Sequence, residues 1–216
     1  MAKLSLGILG GFSGTVGTVV GIVSKNGDDI IRARSKKSRP ANTVGQVKQQ
    51  TKFGLVNGAL QGLNPVIRIG LKQASGIKGM LPMNYASAYA LSNALTGTDE
   101  QPELDYSKLL LSEGALSRIA GATASKTADG VLFSWSDKVD SKVGEATDFV
   151  SLVAYNASNR ELCFSTGVHL RKDKTATLPL PYCEAGDQLF FYLFFQSATD
   201  PLLVSNNQYL GSLIVE

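Results

Sequence analysis

The sequence predicts an α+β protein in which an N-terminal β-hairpin and helices precede a C-terminal antiparallel β-sandwich. Three patterns indicate this order: two apolar runs flank Asn26-Gly27, apolar residues recur at helical spacing after Thr43, and short apolar runs alternate with turn residues from Tyr106 onward. Asn-Gly between apolar runs is typical of a two-residue hairpin, because both central residues of a type I′ turn need positive φ. We therefore expect two domains, residues 1–100 and 106–216.

The overall composition favours a packed protein. Hydrophobic residues make up 44% of the chain and charged residues 18%, a balance that argues against global disorder. The net charge of +3 conceals an asymmetry, because residues 1–100 hold twelve Lys/Arg against four Asp/Glu while residues 101–216 hold nine against fourteen. This asymmetry indicates a polyanionic partner or electrostatic contact between copies, and two solvated surfaces that merely differ explain it equally well.

The residues that usually carry catalysis are sparse. His169 is the single histidine, and Cys163 and Cys183 lie in apolar, strand-like surroundings, where a buried free thiol is the ordinary state. We find no nucleophile–base pair and no metal-ligand spacing, so we expect no enzymatic activity, no cofactor and no metal site. The sequence leaves open whether the two cysteines pair.

The stretch from Leu4 to Val23 carries no charge and is interrupted by six glycines. Those glycines, and the absence of a small-residue cleavage site after them, predict a structured arm rather than a secretory signal or a membrane span. We therefore expect cytoplasmic synthesis, with later incorporation into a virion or another assembly left open. The spacing Gly11-x-x-Gly14-x-x-Gly17 lacks the Lys-Ser/Thr of a phosphate-binding loop and does not join a strand to a helix.

If Asn26-Gly27 forms the turn, strand pairing places Val23 opposite Ile30 and Ile22 opposite Ile31. One apolar face then consists of Val20, Ile22, Ile31 and Ala33. A two-stranded ribbon is not stable alone in water. It must pack on the helix that follows or on another subunit.

A helix is predicted to begin after Thr43, because Thr43-Val-Gly-Gln46 fits a capping box. Its apolar stripe is expected to contain Phe53, Val56, Leu60 and Leu63. A second row, Gly54, Gly58 and Gly62, costs helix stability and so indicates a close contact with a strand or a partner helix. Residues 66–74 are expected to form a strand or a short helix, and Pro65 favours the helix. A further helix is expected from Asn84 to Leu95, ending before Gly97.

Short strands are predicted after Tyr106, each between turn residues. The expected runs are 109–111, 130–135, 149–155, 162–168, 175–181, 188–195 and 209–215. In the run 188–195 apolar side chains point both ways, so its second face must be covered by the N-terminal half or by a partner. The segment from Ala124 to Gly130, followed by a strand with Trp135, resembles the opening of an immunoglobulin-like, fibronectin type III-like domain, which implies that Trp135 lies in the sandwich core.

Several segments together resemble an uncharacterised family of bacterial proteins met mainly in Bacteroidota. The matching segments are 7–14, Val16-Gly17, Ile31-Arg32, the basic linker to Thr43-x-x-Gln46, Lys52-Phe53, Asn84-Tyr85 and 104–112. This resemblance implies no particular activity. The basic linker, its proline, Thr-x-x-Gln and Lys-Phe also resemble segments of phage structural proteins.

These observations favour a non-enzymatic structural protein that self-associates as a homo-oligomer or larger assembly, such as a phage virion or extracellular component. The expected assembly interface consists of Leu4, Ile8, Phe12, Val16, Val20, Ile22, Gly54, Gly58 and Gly62. The expected contact with a polyanion or partner consists of Arg32, Arg34, Lys36, Lys37 and Arg39. The alternatives are a nucleic-acid-binding protein that uses residues 32–39 and a surface binding module that uses sandwich loops such as 136–144.

Overall fold

The computed structural model of the chain describes residues 3–4, 11–23, 28–34, 41–119, 121–127, 129–136 and 143–216, with the backbone alone for residues 3–4. Two compact units, residues 1–43 and residues 44–216, divide the chain. The elements are those of an α+β protein, with strands first, then helices, then antiparallel sheets. The predicted fold class is therefore confirmed.

The first unit contains a four-stranded antiparallel sheet in the order β1-β2-β3-β4. Its strands are β1 (Lys3–Leu4), β2 (Phe12–Val16), β3 (Val19–Val23) and β4 (Asp29–Ala33). The hairpin predicted around Asn26-Gly27 is present as β3–β4, although those two turn residues lie outside the described residues. The sheet extends beyond that hairpin, because the glycine-rich arm supplies β1 and β2.

The register predicted for the β3–β4 hairpin is wrong by one residue. Val23 pairs with Asp29 and Ile22 with Ile30, so residues 24–28 separate the strands. The five residues 24–28 therefore connect the strands in place of a two-residue turn. Because side chains alternate between the faces of a strand, a shift of one residue changes which side chains of the two strands share a face. As a result Ile22 shares a face with Ile30 rather than with Ile31.

The second unit begins with four helices. They are α1 (Val44–Gly62), α2 (Asn64–Gly70), α3 (Lys72–Ile77) and α4 (Pro82–Asn93). Helix α1 starts directly after Thr43, and Pro65 lies in the first turn of α2, both as predicted. Helix α4 starts at Pro82 instead of Asn84, because a proline fits the first helical turn, where its missing N–H has no partner to lose.

The apolar stripe predicted on α1 is only partly correct. Val56, Leu60 and Leu63 are fully buried, whereas Phe53 is 55% exposed. Within α1 the fully buried residues begin at Val56, and Phe53 lies on a part of the helix surface that the rest of its unit leaves exposed. Helical periodicity located the stripe correctly but not the point along the helix at which burial begins.

A short hairpin occupies the region where the sequence predicts a helix end and a domain boundary. Its strands are β5 (Leu95–Gly97) and β6 (Pro102–Leu104). Its Asp99 accepts a 2.6 Å hydrogen bond from Lys52 Nζ on α1, and this contact lowers the pKa of Asp99. The chain divides into compact units between residues 43 and 44, and the predicted domains 1–100 and 106–216, with independent folding of the second, stay a prediction.

Two antiparallel sheets make up the C-terminal region. A three-stranded sheet has the order β11-β8-β7, and a four-stranded sheet has the order β10-β9-β12-β13. The strands are β7 (Thr123–Thr127), β8 (Gly130–Ser134), β9 (Phe149–Asn156), β10 (Leu162–Leu170), β11 (Thr175–Leu178), β12 (Gln188–Gln196) and β13 (Gln208–Ile214). Six of the predicted runs are strands, residues 109–111 are not, and β7 was not among the predicted runs.

The four-stranded sheet is buried on both faces. One hydrophobic core joins Leu152, Phe191 and Phe195 to residues of the three-stranded sheet. A second core joins Tyr155 and Tyr192 to the helices. The cover predicted for the second face of residues 188–195 is therefore confirmed, and helices of the N-terminal half supply it.

A buried ion pair lies beside the core between the two sheets. Arg171 is 0% exposed, and its Nη2 lies 3.3 Å from Oδ2 of Asp148. Arg171 Nη2 also donates to the Ser117 carbonyl at 3.0 Å, and its guanidinium lies 4.1 Å from the centre of the Phe195 ring. Burial lowers the pKa of Arg171, and the carboxylate of Asp148 opposes that shift.

Trp135 lies next to this ion pair. It is 4% exposed and belongs to the core between the sheets, as predicted. Its indole Nε1 donates a 2.7 Å hydrogen bond to the Arg171 carbonyl oxygen. The Arg171 backbone N–H in turn donates to the Asp148 carbonyl at 2.8 Å. The backbones of both members of the ion pair are therefore linked to each other, and that of Arg171 to Trp135.

We expect Asp148→Ala to lower the free energy of unfolding by about 3–5 kcal/mol, because it leaves the Arg171 charge buried without its counter-charge. Asp129→Ala is the matched control, since Asp129 is exposed and such a change should stay within about 0.5 kcal/mol. Urea unfolding followed by Trp135 fluorescence measures both. Equal stability of the two variants would contradict the structural role of the pair.

Candidate interaction surfaces

The predicted assembly residues of the N-terminal arm lie on the sheet of the first unit. Phe12 is half-buried, and its ring covers Gly21, where an added Cβ would meet ring carbons at 2.7 Å. Val16 is 52% exposed and Ile22 is 42% exposed. Leu4 belongs to β1, and Ile8 lies outside the described residues.

The register divides these residues between two faces. Face A carries Phe12, Val16, Val19, Val23, Ile31 and Ala33, and face B carries Thr15, Val20, Ile22, Ile30 and Arg32. Both faces therefore contain exposed aliphatic side chains, and each carries one charged residue among the side chains described, Asp29 on face A and Arg32 on face B. The predicted interface is thus not one continuous surface.

Of the five basic residues predicted to contact a polyanion or partner, the structure describes two. Arg32 on β4 and Arg34 just after it are both exposed. The Arg34 backbone N–H donates a 2.7 Å hydrogen bond to the Thr18 carbonyl, which leaves its side chain at the edge of the sheet. Lys36, Lys37 and Arg39 lie outside the described residues.

The glycine row of α1 is not uniform. A Cβ at Gly62 would lie 2.6 Å from the Arg160 carbonyl oxygen and 2.8 Å from a Tyr155 ring carbon, whereas a Cβ at Gly54 would meet nothing within 4 Å. A Cβ at Gly58 would lie 3.1 Å from the Arg160 guanidinium, which can move. The close approach at Gly62 is therefore made within the chain, to the β9–β10 connection, and Gly54 leaves open space.

Several tyrosines have raised pKa values for structural reasons. The Tyr85 hydroxyl donates to Glu113 Oε2 at 2.7 Å, and this hydrogen bond is the main cause of its raised pKa. Burial raises the pKa of Tyr155, whose hydroxyl donates to the Ala59 carbonyl at 2.9 Å, and that of Tyr192. Each phenol is thus held protonated and acts as a hydrogen-bond donor.

The residues considered for metal or redox chemistry are dispersed. Cys163 and Cys183 are free thiols, both half-buried, and burial raises the pKa of Cys163. Among the residues that the structure describes, no three His, Cys, Asp or Glu side chains are grouped as metal ligands. No helix in the described part of the chain is both long and apolar enough to cross a membrane.

A surface groove that sequence patterns did not indicate lies beside the start of β13. Two adjoining depressions of about 330 and 220 Å³ share Arg118, Asn207 and Tyr209 in their walls. Tyr89 of α4 and Lys108 border one end, and Gln208 and Leu210 border the other. These residues come from four separate parts of the chain, so no local motif reveals them.

The comparison with protein families matches residues 11–211 to DUF6266, a family of unknown function. The chain belongs to this family. The predicted membership of an uncharacterised family is therefore confirmed, because the match covers nearly the whole chain. No curated protein and no solved structure gives a significant match.

We expect Gly62→Ala to destabilise the protein by about 1–3 kcal/mol, because the added methyl would force the Arg160 backbone and Tyr155 to move. Gly54→Ala is the matched change on the same helix and should raise stability by up to about 1 kcal/mol through helix propensity. Thermal unfolding of both variants measures the difference. Equal melting temperatures would contradict the close contact at Gly62.

Proposed function

We propose that the protein is a non-enzymatic structural protein that self-associates through its N-terminal sheet, as a component of a virion or extracellular assembly. The observation that carries this proposal is the exposure of aliphatic side chains on both faces of that sheet. The residues are Val16, Ile22, Val23, Ile30 and Ile31, each between 42% and 63% exposed. Apolar surface concentrated in this way is typical of a binding surface.

The first sheet is expected to need a packing partner because small sheets are not stable alone in water. A sheet with few strands needs a packed hydrophobic face to be stable in water. Face A is the better candidate for that contact, because it carries three of the five exposed aliphatic side chains, Val16, Val23 and Ile31. Each face carries one charged residue among the side chains described, Asp29 on face A and Arg32 on face B, so like-charge contact between copies does not distinguish the faces.

The open strand edges add a second route to association. Strand β4 is an edge of the sheet, and its backbone can pair with a strand from another copy. Asp29 and Arg32 lie on this edge strand, and charged residues on an edge discourage unspecific pairing. Association through face A therefore has the stronger support.

We also propose that the family is found mainly in Bacteroidota and that the C-terminal sheets are fibronectin type III-like. An origin in Bacteroidota rests on the sequence resemblance. A fibronectin type III-like relation is supported by a three-stranded sheet that packs on a four-stranded one, with Trp135 buried between them. Such sandwiches are common building units of unrelated assemblies.

Two alternatives keep some support. Exposed Arg32 and Arg34 favour contact with nucleic acid phosphates, and such binding would weaken steeply with salt. A surface binding module would use the sandwich loops, of which the predicted 136–144 loop lies largely outside the described residues. The exposed aliphatic side chains of the first sheet are not explained by either alternative.

We expect Val16→Glu to weaken self-association about tenfold or more, because a carboxylate on face A would be buried without a partner. Thr15→Glu is the matched control, since it places the same charge one residue away on face B. Sedimentation equilibrium over a series of concentrations measures both. A monomeric wild-type protein, or equal effects of the two substitutions, would contradict association through face A.

A further inference from the structure

The turn between α3 and α4 exposes a cluster of large apolar side chains. Ile77 is 80% exposed, Leu81 is 61% exposed and Met80 is 39% exposed. The three residues lie between positions 77 and 81, so their side chains are close together at the end of two helices. We call these three residues the apolar tip. It belongs to residues 44–216 and is separate from the N-terminal sheet, to which self-association is assigned.

The backbone of this turn is closed by its own hydrogen bonds. The Gly79 N–H donates to the Gly76 carbonyl at 3.0 Å, and the Met80 N–H donates to the Ser75 carbonyl at 2.9 Å. Gly79 has a φ of 63°, the left-handed conformation that ends a helix in a Schellman motif. Pro82 then begins α4. The apolar tip is therefore carried on a fixed backbone, and little conformational freedom is lost when it binds a partner.

Exposed cations surround the apolar tip. Lys78 lies in the turn itself, with Nζ 5.0 Å from the centre of the Tyr85 ring. Lys72 begins the helix that Ile77 ends, about 8 Å away along its axis. Arg68 is exposed one helical turn before Lys72. None of the three cations belongs to an ion pair among the residues that the structure describes.

Acidic residues are few around this turn. The sequence from residue 30 to residue 98 contains no Asp or Glu. Glu113 approaches from a later segment, but it is half-buried, and its Oε2 accepts a 2.7 Å hydrogen bond from the Tyr85 hydroxyl. The exposed surface beside the apolar tip is therefore positive.

We infer that the apolar tip inserts into the surface of an anionic lipid bilayer, with Lys72 and Lys78 at the level of the lipid phosphates. The interfacial region of a bilayer takes up apolar side chains, and anionic headgroups attract the cations beside them. This attraction comes from the charged surface as a whole, so the cations need no fixed pairing geometry. The contact is peripheral, because only a turn enters the bilayer.

The size and chemistry of this surface distinguish a bilayer from other partners. A stable protein interface buries about 800 Å² on each partner, which is more than three side chains on a protruding turn provide. A nucleic acid would contact the cations and leave the apolar tip in water. The inference does not depend on self-association, although several copies in one assembly would bind the same bilayer more tightly.

The test is co-sedimentation of the full-length protein with vesicles of phosphatidylcholine, with and without phosphatidylglycerol. Leu81→Ser removes an apolar side chain at the residue that precedes α4, where serine is a favourable N-cap. Leu202→Ser is its matched control, because Leu202 is also an exposed leucine in a turn. Lys72→Glu tests the charge, and Lys126→Glu on β7 is the matched exposed control.

We expect the wild-type protein to bind the anionic vesicles and to bind phosphatidylcholine alone much more weakly. Leu81→Ser and Lys72→Glu should each weaken binding about fivefold or more, with both controls nearly unchanged. The inference is overturned if anionic vesicles are not bound, or if each variant and its control have equal effects. Binding that is lost in Val16→Glu and kept in Leu81→Ser would overturn it in favour of the N-terminal sheet.

Insertion is measured separately with Leu81→Trp. Its added fluorescence should shift to shorter wavelength on anionic vesicles and be quenched by lipids brominated on their acyl chains, whereas Leu202→Trp should show neither change. Trp135 is 4% exposed and gives the same background in both variants. Vesicle binding without quenching of Leu81→Trp would contradict insertion. Sedimentation of Leu81→Ser without vesicles should match the wild-type protein, so self-association is tested apart from this inference.

Discussion

The paired strands β9 and β12 are buried on both faces, and the rest of residues 44–216 is arranged around that constraint. A strand with apolar side chains on both sides needs two packing partners. The three-stranded sheet covers Phe191 and Phe195, and the helices cover Tyr155 and Tyr192. The helices and the sandwich therefore form one unit in which the larger sheet is shared by two cores.

Polar contacts fix this arrangement where apolar packing alone would leave it free to slide. The Tyr155 hydroxyl donates to the Ala59 carbonyl on α1, and the Tyr192 hydroxyl donates to the Tyr106 carbonyl at 2.8 Å. Between the sheets, Arg171 and Asp148 join the 3₁₀ turn at residues 171–173 to the residue that precedes β9. Buried polar groups of this kind cost stability when unpaired, so they select a single register.

Much of the fold can be predicted from local patterns, because strand alternation and helix capping are local. The alternation in β12 predicted burial on both faces, and Thr43 and Pro65 marked helix starts correctly. The register of the β3–β4 hairpin was missed because the length of the connection, which Asn26-Gly27 does not determine, decides the pairing. Arg171 was missed because its neighbours Lys172 and Asp173 give it the pattern of a solvated turn.

The candidate sites were harder to predict, because each depends on contacts between distant segments. The groove brings together Tyr89, Lys108, Arg118 and residues 206–210, which no spacing rule connects. The glycine row suggested one interface, but only Gly62 makes a backbone contact that an added side chain would prevent. The local sequence shows that glycines recur along α1, but only the tertiary structure shows which of them contacts another segment.

The two units differ in whether their apolar side chains belong to a hydrophobic core. Both hydrophobic cores consist of residues 44–216, although that unit also exposes Phe53 and Ile77, whereas no described residue of the first sheet belongs to either core. Aliphatic side chains of the first sheet are exposed on both of its faces. This difference is the basis for assigning association to the first sheet. Because residues 44–216 contain both hydrophobic cores, the first sheet can be removed without removing either core.

Sedimentation velocity on the full chain and on a chain that lacks residues 1–39 tests this account most directly. The full chain should sediment as an oligomer at micromolar concentration, and the shortened chain as a monomer that still unfolds in one cooperative transition. A monomeric full chain whose sedimentation behaviour is unaffected by the deletion, apart from the loss of mass, would contradict the account.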